Sequence, residues 1–125
     1  MLFRSLDRIF LVAPSSSEER IASTAAATRG FLYAASTMGV TGARDAVADA
    51  APQLVERCRA HTALPIGVGL GVRSRAQAAE VAGFADGVIV GSAFVTAVER
   101  AGAAGARALA AELAEGVRAK ATVAG

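Results

Sequence analysis

A parallel α/β layer is the fold class this sequence predicts, and three observations carry it. Four β-type runs, Ile9–Ala13, Phe31–Ala35, Pro65–Gly69 and Gly87–Val90, are β-branched or continuously apolar, as strands covered on both faces require. The segments between them hold helix-start signals instead of hairpin turns. The strand starts lie roughly 20 to 35 residues apart, which suits βαβ units with right-handed crossovers. These features predict one open four-stranded sheet in chain order, with helices on one face and the other face incompletely covered.

The crossover helices can be placed in order. Ser15, Ser16 and Ser17 precede a helix over Glu18–Thr28, and the S-x-x-E spacing predicts a capping box in which hydroxyl and carboxylate serve each other's backbone. Pro52 suits the first turn of a second helix that ends near His61. Ser74 and Gln77 form another capping-box pair, opening a helix that stops around Gly83. After Ser92 a short helix, Ala93–Arg100, is followed by Gly102 and Gly105, then by an Ala-rich helix to about Lys120.

Composition narrows the function classes. The chain has 125 residues, 54% of them apolar and 5% aromatic, with a net charge of +2 and one cysteine. That is enough for one domain, spanning residues 1–125, with tightly packed helix–sheet layers. Its arginines are scattered, whereas a nucleic-acid binder gathers basic residues on one face. No apolar run approaches the ~18 residues of a membrane span. The N-terminal Arg4, Asp7 and Arg8 interrupt any signal-like hydrophobic region, so a cytoplasmic location is expected. Cys58 has no partner in the chain, which fits a reducing compartment, and neither Cys58 nor His61 has the neighbours of a metal site or a nucleophile–base pair.

Ligands of parallel α/β folds collect at the carboxyl ends of the strands. There the sequence places Gly39, Thr41 and Gly42 after the second strand, Gly71 after the third, and Gly91 with Ser92 after the fourth. Glycine leaves backbone N–H groups uncovered, and the helix that follows adds the positive end of its dipole. Each loop alone is an ordinary connection or cap; together they point to one anion, a phosphate. In a (β/α)8 barrel the last strands commonly build such a site, and about 250 residues complete that barrel, twice the length here.

Acid–base groups are placed differently. Glu18, Glu19, Glu56, Glu80, Glu99, Glu112 and Glu115 fall on helices, while Asp86 and His61 fall at the amino ends of strands. General acid–base catalysis needs a titratable group in the pocket, and no catalytic residue is assigned. Tyr33, mid-strand, offers a phenol that can donate to a ligand or sit satisfied in the core. Leu11 and Leu70 can form an apolar wall at strand ends.

The segments Ile9-Phe10-Leu11-Val12-Ala13-Pro14, Arg29-Gly30-Phe31-Leu32-Tyr33, Gly39-Val40-Thr41-Gly42-Ala43, Gly69-Leu70-Gly71-Val72 and Val90-Gly91-Ser92-Ala93, in this order and spacing, resemble the carboxyl-terminal half of the tryptophan synthase alpha subunit family. The resemblance runs from about Ser5 to about Lys120 and makes the four strands the fifth to eighth of a TIM barrel. It implies cleavage of indole-3-glycerol phosphate to indole and glyceraldehyde 3-phosphate, in tryptophan biosynthesis. The implied phosphate-binding residues are Thr41, Gly42, Gly71, Gly91 and Ser92, and the implied substrate-pocket residues are Leu11, Tyr33 and Leu70. Leu70 replaces a frequent phenylalanine, and Thr37-Met38 replaces a common Arg-Ser or Arg-Thr. The implied partner is a beta subunit in an alpha2beta2 tetramer. Pyridoxal phosphate belongs to that subunit, and no cofactor is implied for this chain. The family's catalytic glutamate and aspartate lie in the first half of the barrel, so the chain is expected to be inactive alone. Residues 1–4 do not match the family pattern. Two other classes share the glycine loops: another phosphate-binding TIM-barrel enzyme, and a non-catalytic phosphate-binding half-barrel.

Overall fold

A computed structural model describes residues 6–36, 44–69 and 71–124, with backbone alone for 44–49 and 120–124. Thr41, Gly42 and Leu70, the Thr37-Met38 pair and residues 1–4 lie outside the described residues. Four strands, β1 (Leu11–Val12), β2 (Leu32–Ala35), β3 (Ile66–Gly69) and β4 (Gly87–Ile89), alternate with helices α1 (Glu18–Ala27), α2 (Arg44–Arg59), α3 (Arg75–Ala82) and α4 (Ser92–Ala124). All three strand pairings are parallel and the spatial order is β1-β2-β3-β4. The expected open sheet is therefore present.

Register explains which face is covered. Paired residues in a parallel sheet share a face and successive residues alternate. Val12, Ala34, Val68 and Val88 are in register, with Leu32 and Ile66 on the same side. Val12, Leu32, Ala34, Ile66 and Val68 are buried and join Ile21 of α1, Leu54, Val55 and Cys58 of α2, and Ala78 and Val81 of α3 in one core. Each fully buried Leu, Ile or Val contributes about 1.5–3 kcal/mol, so this layer outweighs any surface contact. Leu11, Tyr33, Gly67 and Gly87 share the opposite face with Phe31, Ala35, Gly69 and Ile89. No helix of the described residues covers it, and Leu11 is 60% exposed.

Several local expectations are corrected. The N-cap of α1 is Ser17, whose hydroxyl accepts from the Arg20 N–H. That puts arginine where a capping box needs Glu, and Ser16 instead accepts from the Ala13 N–H at 3.0 Å. Pro52 is inside α2, well past its first turn. The helix starts earlier because the Ala-rich stretch before Pro52 favours it, at the expense of the one backbone bond Pro52 cannot donate. Ser74 caps α3 as expected, accepting from the Gln77 N–H at 3.2 Å. The Gln77 side chain, however, accepts from the Arg73 N–H at 2.7 Å, one residue before the cap. The two helices expected after Ser92 are present as one element broken at Ala101 and Gly102, whose backbone angles are non-helical.

Polar links fix how the layers meet. Glu18 at the start of α1 is bonded by Arg57 of α2, and His61 lies 3.1 Å away. These two bonds hold the exposed Glu18 carboxyl below its ordinary range. Arg57 also donates to the carbonyls of Pro14 and Ser16, so one guanidinium ties the β1–α1 turn to α2. Asp86, before β4, accepts from the Ile66 N–H at 2.9 Å and from Arg59 at 3.1 Å. The first of these bonds holds the Asp86 carboxyl low against its partial desolvation, with Arg59 assisting. Burial alone dominates at Cys58, pushing its thiol up, which makes it an unreactive core residue.

Replacing Asp86 with Ala leaves the buried Ile66 N–H without its acceptor. A loss of about 1–2 kcal/mol is expected in urea unfolding at pH 7. Because the folded carboxyl titrates below its unfolded value, its contribution is full above about pH 4 and disappears as pH falls through the folded value. The gap between Asp86→Ala and the parent should therefore narrow at pH 2–3.

Candidate phosphate site at the carboxyl edge

Because all four strands run the same way, the segments after β2, β3 and β4 emerge at one edge. The sheet is held to its end there, with the Ser36 N–H donating to the Gly69 carbonyl at 2.9 Å. Gly69 and Ile89 are register partners, so Gly71 and Gly91 each stand two residues beyond the last pair. Of the five residues expected to bind phosphate, Gly71 follows β3 and Gly91 and Ser92 follow its neighbour β4, at the same edge of the sheet, while Thr41 and Gly42 are outside the described residues.

The backbone at these positions is open. Gly71 has φ +80°, a conformation that costs a residue with a side chain about 1–2 kcal/mol. A Cβ at Gly71 or Gly91 would meet nothing within 4 Å, so both leave free space beside their amides. The Gly91 carbonyl accepts from the N–H groups of Phe94 and Val95 at 2.9 and 3.2 Å, which puts Gly91 at the N-cap of α4. Helix geometry gives the first amides, those of Ser92 and Ala93, no acceptor within the helix. At α1 and α3 a serine hydroxyl fills that role; glycine at α4 has none to offer. The positive end of the α4 dipole is left to an outside acceptor.

The open face supplies the remaining surface. Tyr33 leans over β3: a Cβ on Gly69 would come within 2.5 Å of its hydroxyl and 2.9 Å of Cε1. Glycine at 69 is what lets the ring lie flat toward the carboxyl edge. Leu11 shares this face by register on the neighbouring edge strand, and it also lines grooves with Arg20 and Thr24 of α1. Phe31 and Ile89 were not among the expected residues, yet they flank Gly67 and line a concavity of about 410 Å³ with Gly30, Pro65 and Gly87. Period-two placement of Phe31 with Tyr33 is the signal that identifies them. This concavity lies toward the amino edge, so the apolar basin and the glycine amides occupy opposite ends of one face. The strand residues on that face include no carboxylate and no imidazole.

The family model of the tryptophan synthase alpha chain matches residues 3–124. The chain belongs to the tryptophan synthase alpha chain family. A tryptophan synthase alpha chain from Nocardia farcinica is 69% identical over 120 residues, 96% of this chain and 44% of that relative. One from Mycobacterium tuberculosis is 69% identical over 113 residues, 90% of this chain and 42% of the relative. The chain thus spans less than half the length of the curated relatives it matches. Among solved structures, Mycobacterium tuberculosis tryptophan synthase superposes with a TM-score of 0.79 at 66% identity, over 90% of this chain and 42% of that one. A mutant tryptophan synthase alpha subunit from Pyrococcus furiosus gives 0.69 at 27% identity, over 90% and 45%. The fold is that of half an alpha-chain TIM barrel.

Glycine substitutions separate backbone strain from space. Gly71→Ala should lose about 1 kcal/mol in thermal or urea unfolding, and Gly91→Ala should stay within about 0.5 kcal/mol of the parent. Gly69→Ala should displace the Tyr33 ring, read as a change in Tyr33 fluorescence or ring proton shifts.

Proposed function

We propose that this chain is the phosphate-binding, carboxyl-terminal half of a tryptophan-synthase-alpha-type lyase, one domain unit over residues 1–125. The carrying observation is the first turn of α4, which starts at Gly91 without a side-chain cap, in a chain of this family. In the full-length protein Thr41, Gly42, Gly71, Gly91 and Ser92 hold the phosphate of indole-3-glycerol phosphate. Leu11, Tyr33 and Leu70 hold its indole and glycerol portions. Backbone N–H groups suit that task because they bring fixed dipoles, with no charge to neutralise and little side-chain entropy to lose.

The chemistry itself requires more than this half. Retro-aldol cleavage needs one group to take a proton from the glycerol hydroxyl and another to deliver a proton to the indole carbon, and positioned groups contribute about 10²–10⁴-fold each. Among the described strand residues of the open face Tyr33 is the titratable one, and one phenol cannot serve as both the acid and the base. The two carboxylates come from the first half of the barrel, which also covers the bare face and the free edge of β1. The chain alone binds without turnover. A beta subunit is the partner of the complete protein and holds the pyridoxal phosphate; the location is cytoplasmic. Among the described residues no helix is long and apolar enough to cross a membrane.

Two measurements test this. Glycerol 3-phosphate added to the 125-residue chain should shift the amides of Gly71, Gly91 and Ser92; shifts confined to the amino-edge loops would refute the site. Indole release from indole-3-glycerol phosphate should be undetectable for the chain alone and should appear when an amino-terminal half from a 69%-identical relative is added. Turnover by the chain by itself would show that a catalytic group lies within it, with Tyr33→Phe the next variant to assay.

A further inference from the structure

A second concave site lies on the other side of the α4 start. Ala93, Thr96, Ala97 and Arg100, spaced three and four apart, form one stripe of the first α4 segment. Together with Leu109 of the second segment and Arg73 of the β3–α3 connection they line a pocket of about 400 Å³, within the range of small-molecule sites. None of Gly71, Gly91 and Ser92 lines it. Its walls are half polar in kind: two guanidinium groups and a hydroxyl against alanine and leucine.

The two arginines are set apart from others near them. Arg57, Arg59 and Arg75 are engaged by Glu18, Asp86 and Glu115. Arg73 and Arg100 have no such carboxylate among the described residues, and none lines the pocket. Both are attached to fixed backbone. Arg73 follows the buried Val72, and its N–H is bonded to Gln77; Arg100 immediately precedes the chain reversal at Ala101 and Gly102. Two unneutralised cations held around one partly apolar pocket favour an anion that carries an apolar body.

We propose that this pocket binds a small organic oxyanion, its charged end on Arg73, Arg100 and the Thr96 hydroxyl and its apolar body on Ala93, Ala97 and Leu109. The site is independent of the phosphate reading of the glycine edge. Phenyl phosphate titrated into the 125-residue chain should move the amides of Thr96, Arg100 and Leu109 saturably. Arg73→Gln and Arg100→Gln should each weaken that binding about five- to tenfold, and Arg107→Gln, outside the pocket, should leave it unchanged. Benzoate in place of phenyl phosphate tells a carboxylate site from a phosphate site, since binding by either probe fits the proposal and the stronger identifies the class. Shifts confined to Gly71, Gly91 and Ser92 would overturn it, as would equal weakening by Arg107→Gln or equal affinity for inorganic phosphate, which has no apolar body.

Discussion

One-sided burial of the parallel sheet is the constraint on which the rest depends. Val12, Leu32, Ala34, Ile66 and Val68 alternate with residues on the opposite face and are sealed beneath α1, α2 and α3. Once those side chains face the helices, period two leaves no choice for their neighbours: Leu11, Phe31, Tyr33, Gly67, Gly69 and Ile89 must face the other way. A one-residue slip in β1, β2 or β3 would send a buried core side chain to the bare face. The parallel direction follows from the helical crossovers, and it gathers the loops after β2, β3 and β4 at one edge. The position of this carboxyl edge is thus a consequence of core packing far below it.

The open face is built from glycine and aromatic residues for a related reason. Gly67 and Gly69 remove side chains where Phe31, Ile89 and Tyr33 need room. In the middle of a strand glycine is costly in chain entropy, so its repeated use marks places where another group comes close. Here that group is a ring crossing from the neighbouring strand. Arg57, Arg59 and Asp86 then tie the helices and strand starts to this sheet through bonds to backbone groups.

Most of this architecture was legible in the sequence, because apolar runs and capping residues are local signals. The positions of β2, β3 and β4, the Ser74 cap and the break after Arg100 follow from residues within a few positions of each. What was not legible depends on contacts made across the fold. The run Ile9–Ala13 pairs as a strand over Leu11–Val12 alone, since β1 has one neighbour; Phe10 and Arg8 still contribute carbonyls to Tyr33 and Arg29. Pro52 reads as a helix start by local rule and lies inside α2, where packing of Leu54, Val55 and Cys58 outweighs one missing bond. Choosing Ser17 over Ser15 or Ser16 as the α1 cap required knowing that Ser16 turns back to Ala13. At the carboxyl edge, the placement of Gly71, Gly91 and Ser92 just after their strands was readable from spacing, whereas Phe31 and Ile89 emerged only when register put them on one face.

Helix ends show how the same local grammar serves two purposes. At α1 and α3 a serine satisfies the amide at the third position, and those helices are closed. A serine also stands at the start of α4, but one residue later, at the first helical position behind Gly91. Moving one serine by one residue exchanges a self-satisfied cap for a row of donors, at a cost in helix stability that is small because glycine caps nearly as well as serine. Since the α4 backbone is otherwise held by its packing on α3, that small loss is tolerated, and the first turn keeps amides that no serine cap occupies.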